Sequence, residues 1–249
     1  EVKKWLAILM APCSSLGGAR PKANILDDQG HPWIAKFPSK NDDIDKALWE
    51  YLAYRLALNA GIKMAESKVE KVSGNHHTFF TKRFDRSEGE RVHFASALTM
   101  TGNNEDTIRD NPASYLDLAE FIQFSGAKNE EDLHQLWRRI VFHIAISNTD
   151  DHLRNHGFIL SDEGWRLSPA YDINPMIGKN GLSLNIDADS NALDFELAES
   201  VGSYFRLDNK QMDLILTEVK NAVSQWKNIA QDIGVSRQEQ QLMEGAFRY

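Results

Sequence analysis

The feature that most constrains the fold is an apolar helical stripe that ends directly in a cluster of polar residues. Residues 130–147 repeat apolar side chains at the spacing of one broad helix face. Residues 146–158, ISNTDDHLRNHGF, then bring two aspartates, two histidines, an arginine and two asparagines. A packed helix that ends in such a segment predicts a polar loop held in a fixed position. The residues of the apolar stripe are Leu133, Leu136, Trp137, Ile140, Val141 and Ile144.

The order of acids and an amide in this region is typical of phosphoryl transfer. Asp150 and Asn155 lie five residues apart, and a predicted hairpin, GFIL-SDEG-WRLSPA, separates them from Asp172. In kinases the Asp of such a D-x-x-x-x-N loop accepts or orients the proton of the attacking hydroxyl, whereas the Asn and a later Asp hold Mg²⁺. Because D-x-x-x-x-N also occurs by chance in polar loops, the prediction depends on the hairpin and on Asp172.

The first third of the sequence predicts two hairpins around one helix. ANILDDQGHPWIAKF and ESKVEKVSGNHHTFFTKRF each place strand-like stretches around a polar turn. The helix between them starts after Asp42, Asp43 and Asp45, whose carboxylates favour a helix N-terminus, and Gly61 ends it. We therefore expect a strand-rich lobe that contains one helix.

A lysine and a glutamate of this lobe are placed to form an ion pair. Lys36 lies mid-strand in WIAKF among apolar residues, and Glu50 follows fourteen residues later on the predicted helix. A lysine in that position either extends to a strand edge or points into a cleft, and a glutamate on a helix face is ordinarily solvated. The order Lys, Glu, then Asp150, Asn155 and Asp172 is that of the kinase template, so we predict pairing in a cleft.

A glycine-containing loop precedes this lysine. SSLGGARPKA, residues 14–23, lies between two predicted strands, and the backbone N–H groups around Gly17 and Gly18 could hold phosphates. The loop is neither a G-x-G-x-x-G nor a Walker A motif. An ordinary hairpin turn therefore stays open as the alternative.

The change in periodicity along the chain predicts two domains. Residues 1–85 form a strand-rich lobe, and residues 86–249 form a helix-rich lobe, with a ligand cleft between them. The predicted helices of the second lobe are 112–126, 130–147 and two closing helices that start after Asp208 and Ser236.

Charge and composition argue against several other classes of protein. The net charge is −8 with a pI of about 5.5, and no extended basic patch occurs, so direct nucleic-acid binding is not expected. A single cysteine, Cys13, rules out an intrachain disulfide and fits a cytoplasmic location. No apolar run approaches the roughly 18 residues of a membrane span. We interpret the start of the chain as a strand rather than a targeting signal.

Four blocks of the sequence, SSLGGARPK, TKRFDR, NTDDHLRNHGF and SPAYDINP, resemble the HipA-type serine/threonine kinases. These kinases are the toxins of bacterial type II toxin–antitoxin pairs, and the resemblance covers essentially the whole chain. It implies an α+β, bilobal protein-kinase-like fold with a small strand-rich N-lobe and a larger, mostly helical C-lobe. The cofactors that it implies are ATP and Mg²⁺, with the N-lobe binding ATP and the C-lobe carrying the catalytic residues.

The resemblance also implies a role for each matching residue. Asp150 would be the catalytic base, and Asn155 and Asp172 would hold Mg²⁺. Ser15 would be a site of autophosphorylation that expels the loop and blocks ATP binding, with Ser14 as a neighbouring candidate. The residues expected to bind ATP are Gly17, Gly18 and Lys22 in the loop, Lys36 at the phosphates, Lys82 and Phe84 at the adenine hinge, and the two Mg²⁺ ligands Asn155 and Asp172.

The partners implied by the resemblance are a protein substrate, by family analogy an aminoacyl-tRNA synthetase, and a DNA-binding antitoxin. No direct contact with nucleic acid or membrane is expected. The sequence departs from some relatives at Asp151, where they have glycine, and at Arg20, where they have an amide. Longer relatives also carry an N-terminal subdomain before the loop serine. Two other functions stay open, a catalytically silent module that binds the antitoxin and a small-molecule kinase.

Overall fold

The computed structural model describes residues 20–87, 90–110 and 112–249. Within these ranges the chain has a small antiparallel sheet lobe followed by a larger, mostly helical part. Ser14, Ser15, Gly17 and Gly18 lie outside the described residues, so the roles of the glycine-containing loop stay predictions.

The small lobe is built on a four-stranded antiparallel sheet. Its strands are β1 (Lys22–Leu26), β2 (Pro32–Lys36), β3 (Ser67–Glu70) and β4 (Thr78–Lys82), in the order β1–β2–β4–β3. Both predicted hairpins are present, and they join where β2 pairs with β4. Lys22 lies opposite Lys36 across the β1–β2 pair, so the two lysines project from the same face of the sheet.

One helix, α1 (Lys46–Asn59), connects the two hairpins. Asp45 is its N-cap, and the Asp45 side chain accepts a hydrogen bond from the backbone N–H of Leu48. Gly61 follows the helix with φ +74°, the left-handed conformation that favours glycine at a helix end. The predicted start among acids and the predicted end at Gly61 are therefore confirmed.

A second sheet lies within the helical part. After the short pair β5 (Arg86–Ser87) and β6 (Glu90–Arg91), the strands β7 (Phe94–Ser96), β8 (Gly157–Ser161) and β9 (Gly164–Leu167) pair in that order. β8 and β9 form the predicted hairpin. β7 was not predicted, because three residues are too few to show a period. Its pairing with β8 brings the chain that leaves the small lobe beside the end of the polar loop.

Helices make up most of the rest of the described chain. They are α2 (Ala97–Met100), α3 (Glu105–Asp110), α4 (Tyr115–Ser125), α5 (Asn129–Ala145), α6 (Phe195–Ser200), α7 (Asn209–Ser224), α8 (Trp226–Asp232) and α9 (Arg237–Met243). The prediction of two closing helices is wrong in number, because Gln225 both ends α7 and precedes α8. None of the helices in the described ranges has the length and apolarity to cross a membrane.

The helix of the small lobe shares the core of the helical part. Leu48, Leu52 and Leu56 of α1 belong to the large hydrophobic cluster that surrounds α5. The sheet keeps a small cluster of its own, which includes Trp33 and Phe80. The predicted division between residues 85 and 86 stays a prediction, and α1 packs across it.

The end of the chain contacts both parts of the molecule. The rings of Trp226 and Phe247 stack with centroids 4.3 Å apart, and the ring of Trp49 on α1 lies 6.3 Å from Phe247. The backbone N–H of Arg248 donates to the last carbonyl of α5 at 2.7 Å, and its Nε donates to Ser147 Oγ at 3.1 Å. Phe247 and Arg248 thus contact both α1 and the turn that leads into the polar loop.

Candidate active site

Lys36 lies between two carboxylates where the sheet lobe meets the helical part. Its Nζ is 2.5 Å from Glu50 Oε1 and 2.6 Å from Asp172 Oδ1. Lys36 and Glu50 are 7% and 4% exposed, whereas the side chain of Asp172 is 35% exposed. The predicted Lys36–Glu50 pair is therefore present, and the lysine points into the site rather than to the strand edge.

These three groups alter one another's protonation. Burial alone would lower the pKa of Lys36, but the carboxylates of Glu50 and Asp172 outweigh it, and the pKa is raised. Burial raises the pKa of Glu50, and Lys36 offsets part of that effect. Burial would also raise the pKa of Asp172, but Lys36, with a smaller contribution from Lys22, lowers it below its usual value. Lys36 is thus a fixed cation beside an ionised Asp172.

The polar loop after α5 contains one turn of 3₁₀ helix, Leu153–Asn155. The backbone N–H of Asn155 donates to His152 O at 2.8 Å, and its Nδ2 donates to Asp150 O at 3.2 Å. Asn155 is buried, whereas Asp150 is exposed. Because the amide nitrogen of Asn155 is used within the loop, its amide oxygen is the atom available to a ligand.

Three contacts join this loop to the segment that follows β9. The hydroxyl of Tyr171 donates to Arg154 O at 2.8 Å. Ser183 Oγ donates to Thr149 O at 2.8 Å, and Thr149 Oγ1 lies 3.7 Å from Met176 Sδ. The predicted base and the second predicted acid are therefore carried by two segments that are bonded to each other.

Asp172 has a left-handed backbone, with φ 57°. This conformation is uncommon for a residue other than glycine, although aspartate tolerates it better than most. Strained backbone of this kind persists where the surrounding contacts hold it, and it is enriched at functional sites. Here the bonds of Lys36 to the Asp172 side chain and of Tyr171 to the polar loop hold the turn.

The two predicted hinge residues lie at the junction of the lobes. Lys82 is the last residue of β4, and its backbone N–H donates to Glu66 O at 2.7 Å. The ring of Phe84 lies 5.6 Å from Phe94 and 5.8 Å from Tyr171, the residue before Asp172. The structure thus brings Phe84 close to the segment that carries Asp172, and the backbone N–H of Lys82 is already bonded within the small lobe.

A second polar cluster is buried behind the loop. Asp151 Oδ2 accepts hydrogen bonds from Tyr115 Oη at 2.5 Å and His156 Nε2 at 2.7 Å, and His143 Nε2 lies 3.5 Å away. Asn148 Nδ2 donates to His143 Nδ1 at 2.9 Å, which leaves the His143 proton on the nitrogen that faces the carboxylate. Tyr115, His143, Asp151 and His156 are each no more than 1% exposed. The cluster is therefore shielded from solvent.

Neither Tyr115, which lies 36 residues before Asp151, nor His143, which precedes it on the buried helix, was predicted as a member of this cluster. One signal was available. His143 lies between Ile140 and Ile144 on the apolar stripe of α5, and a histidine on a buried face requires a polar partner. The identity of that partner depends on tertiary packing, which no local pattern reveals.

The two clusters differ in what they can bind. In the buried cluster the 2.7 Å separation of His156 Nε2 and Asp151 Oδ2 is a hydrogen-bond length, whereas two ligands of one tetrahedral zinc ion lie about 3.3 Å apart. At the lobe junction, Asn155 and Asp172 offer an amide and a carboxylate oxygen, which are the donors that Mg²⁺ prefers. These two residues therefore fit a magnesium ion.

Comparison with known proteins identifies the family. Residues 14–226 match the HipA-like C-terminal domain. The chain belongs to this family. In the toxin–antitoxin system of Shewanella oneidensis MR-1, HipA in complex with HipB and operator DNA matches this chain with a TM-score of 0.75 at 15% identity, covering 99% of this chain and 68% of that chain. The Helicobacter pylori proinflammatory kinase CtkA matches with a TM-score of 0.56 at 15% identity, covering 90% and 94%. The fold is thus the predicted bilobal, protein-kinase-like α+β fold.

Two curated proteins are also similar to this HipA-like chain. "Putative kinase Y4mE" of Sinorhizobium fredii is 27% identical over 151 residues, which is 57% of this chain and 34% of that protein. A "Putative kinase" of Haemophilus influenzae is 27% identical over 178 residues, which is 64% of this chain and 51% of that protein. The HipA-like chain therefore spans about a third and about half of the lengths of these relatives.

The buried histidine makes the stability of the HipA-like domain depend on pH. Burial lowers the pKa of His143 from 6.5 to about 4. The unfolded chain takes up this proton as the pH falls through 6.5, whereas the folded chain resists it until about pH 4. As the pH is lowered from 6.5 to about 4, the free energy of unfolding should therefore decrease, by about 3 kcal/mol from His143 alone.

Urea unfolding across the same window measures this effect in the wild type and in two variants. His143→Gln should show a shallower decline, because the buried titrating group is gone. His134→Gln, a substitution on the same helix at a partly exposed position, should decline like the wild type. Parallel curves for His143→Gln and the wild type would contradict the expectation.

Proposed function

We propose that this chain is a Mg²⁺–ATP-dependent serine/threonine protein kinase of the HipA type. The observation that carries the proposal is the position of Lys36, which contacts Glu50 at 2.5 Å and Asp172 at 2.6 Å. Protein kinases require a strand lysine paired with a helix glutamate, together with a metal-binding aspartate, to be in place for transfer. Asp150 and Asn155 complete that set, and membership of the HipA-like family supports it.

Each residue of the site would have its own role in the reaction. Bound ATP and Mg²⁺ supply the phosphoryl group and neutralise its charge. Asp150, whose side chain is exposed, would accept the proton of a serine or threonine hydroxyl as that hydroxyl takes the γ-phosphoryl group and ADP leaves. Lys36 orients the phosphate oxygens, and Asn155 and Asp172 hold the metal. Catalysis is then mainly positioning and charge stabilisation, with no covalent intermediate on the chain.

The nucleotide site that we propose lies at the lobe junction. Lys22 adds a second positive charge on the sheet face that carries the site lysine. Phe84 offers an aromatic ring and Lys82 a backbone carbonyl to the adenine. Gly17 and Gly18, outside the described residues, would contribute backbone N–H groups to the phosphates.

The partners are proposed by analogy with relatives. The Shewanella HipA was solved with HipB and operator DNA, and we propose that this chain also binds a DNA-binding antitoxin. A cytoplasmic protein, such as an aminoacyl-tRNA synthetase, is the proposed substrate. The net charge of −8 argues against direct contact with nucleic acid.

Incubation of the dephosphorylated protein with Mg²⁺ and γ-labelled ATP tests this function. We expect label on the loop serine Ser15, with Ser14 as the neighbouring acceptor, and mass spectrometry locates it. Ser15→Ala should lose that label, and Asp150→Asn should lose nearly all of it. Ser73→Ala, at an exposed turn serine, should be labelled like the wild type.

The other outcomes identify the competing functions. ATP binding without self-labelling, with label transferred to an added small-molecule hydroxyl, would replace the protein kinase with a small-molecule kinase. If the protein takes up no label and does not bind ATP, it is a catalytically silent module.

A further inference from the structure

Two adjacent loop residues have opposite environments. Asp150 is exposed, whereas Asp151 is 1% exposed. Burial alone would raise the pKa of Asp151, but His143, His156 and Tyr115 hold it below its usual value, so the group is an anion at neutral pH. A buried anion is stable only where donors surround it, so its position is tightly defined.

The three polar groups that surround the Asp151 carboxylate come from separate parts of the fold. Tyr115 is the first residue of α4, and His143 lies in the last turn of α5. His156 directly precedes β8. Movement of the carboxylate would break contacts with all three, so the loop is anchored to the helical part at this residue.

A buried arginine connects the same region to the acidic segment. Arg139 is 2% exposed, and its Nη2 donates to Ser168 O at 2.6 Å, four residues before Asp172. Burial lowers the pKa of Arg139 to about 10, and Asp151 is the largest influence that opposes this. The Asp151 anion therefore also favours the charged form of the arginine that holds the chain leading to Asp172.

The main chain of Asp150 is consequently held at two points. Its carbonyl oxygen accepts from Asn155 Nδ2 at 3.2 Å, and the residue after it is anchored by Tyr115 and His156. With the main chain fixed, the Asp150 carboxylate is restricted to the few staggered rotamers that this backbone allows. The buried contacts of Asp151 thus limit the directions in which the exposed Asp150 side chain can point.

We propose that Asp151 is a positioning residue, whose buried carboxylate orients Asp150 toward the acceptor hydroxyl. The inference rests on the proposed kinase function. A role in stability alone would reduce the amount of folded protein but not the turnover of the molecules that stay folded. The two roles are therefore separable by kinetics.

The test is steady-state phosphoryl transfer by Asp151→Asn, well below its unfolding temperature and corrected for the folded fraction. We expect kcat to fall about 100-fold, the effect of misplacing a reacting group by about 1 Å. The KM for Mg²⁺–ATP should not change, because the variant leaves Lys36, Asn155 and Asp172 intact.

Asp132→Asn is the matched control. Asp132 is also a buried carboxylate, 3% exposed, and it accepts bonds from the Arg166 side chain at 2.9 and 3.0 Å and from Leu167 N at 3.0 Å. It lies at the other end of α5 from the polar loop. We expect it to lose stability and keep the kcat of the wild type.

If Asp151→Asn does not fold, Tyr115→Phe decides the question, because it removes one donor and keeps the aromatic ring. We expect about a 10-fold lower kcat with an unchanged KM for Mg²⁺–ATP. A wild-type kcat in the folded fraction of Asp151→Asn, or in Tyr115→Phe if that is the variant that folds, would overturn the positioning role. An inactive wild type would instead overturn the kinase function.

Discussion

Asp150→Asn is expected to lower the rate of phosphoryl transfer by roughly 10²–10⁴-fold, the usual contribution of a general base. Asparagine keeps the size of the side chain but cannot accept the hydroxyl proton. The fold should not change, because Asp150 is exposed and accepts the bond from Asn155 through its backbone carbonyl, which asparagine also has. Transfer to a protein acceptor under saturating Mg²⁺–ATP measures the loss.

The control for this variant is the same substitution at another exposed aspartate. Asp162→Asn lies in the turn between β8 and β9 and should transfer phosphate like the wild type. Circular dichroism of both variants should match the wild-type spectrum. Normal turnover by Asp150→Asn would remove this residue from the role of base.

Lys36→Met should lower the free energy of unfolding by about 3 kcal/mol, because breaking a buried ion pair leaves an uncompensated charge. Glu50 is 4% exposed, and burial already raises its pKa, so without the lysine it would take up a proton. Phosphoryl transfer should also be lost, since the cation that orients the phosphates is gone. Urea unfolding and the labelling assay measure the two effects separately.

A double-mutant cycle shows whether the stability effect belongs to the pair. Glu50→Gln alone should destabilise, but in combination with Lys36→Met the total should be smaller than the sum, with a coupling of about 1–3 kcal/mol. Strict additivity would mean that Lys36 and Glu50 do not stabilise each other. Lys71→Met, at an exposed position just after β3, should leave stability nearly unchanged.

The parts of the fold that the sequence predicted are those with local signals. The two hairpins, α1, α4, α5 and the β8–β9 hairpin each show a period, a cap or a turn within a few residues of the chain. β7 has three residues, so no period can appear. The division of the closing helices at Gln225 has no glycine or proline to mark it.

The contacts of the site also separate into those that local sequence could predict and those that it could not. The Lys36–Glu50 pair could be predicted because both residues lie on adjacent elements of one lobe. The bond from Lys36 to Asp172 and the bond from Tyr115 to Asp151 join residues 136 and 36 positions apart. Only tertiary packing sets these distances, so the sequence suggested the residues of the first cluster but not the anchoring of the second.

The packing of Phe247 and Arg248 bears on where the chain can be shortened. Phe247 lies against Trp49, the neighbour of Glu50, and Arg248 bonds Ser147 just before the loop that carries Asp150. A truncation that removes these residues would therefore loosen both sides of the site at once. Loss of activity in a chain cut before Phe247 would report this damage rather than the removal of a catalytic residue.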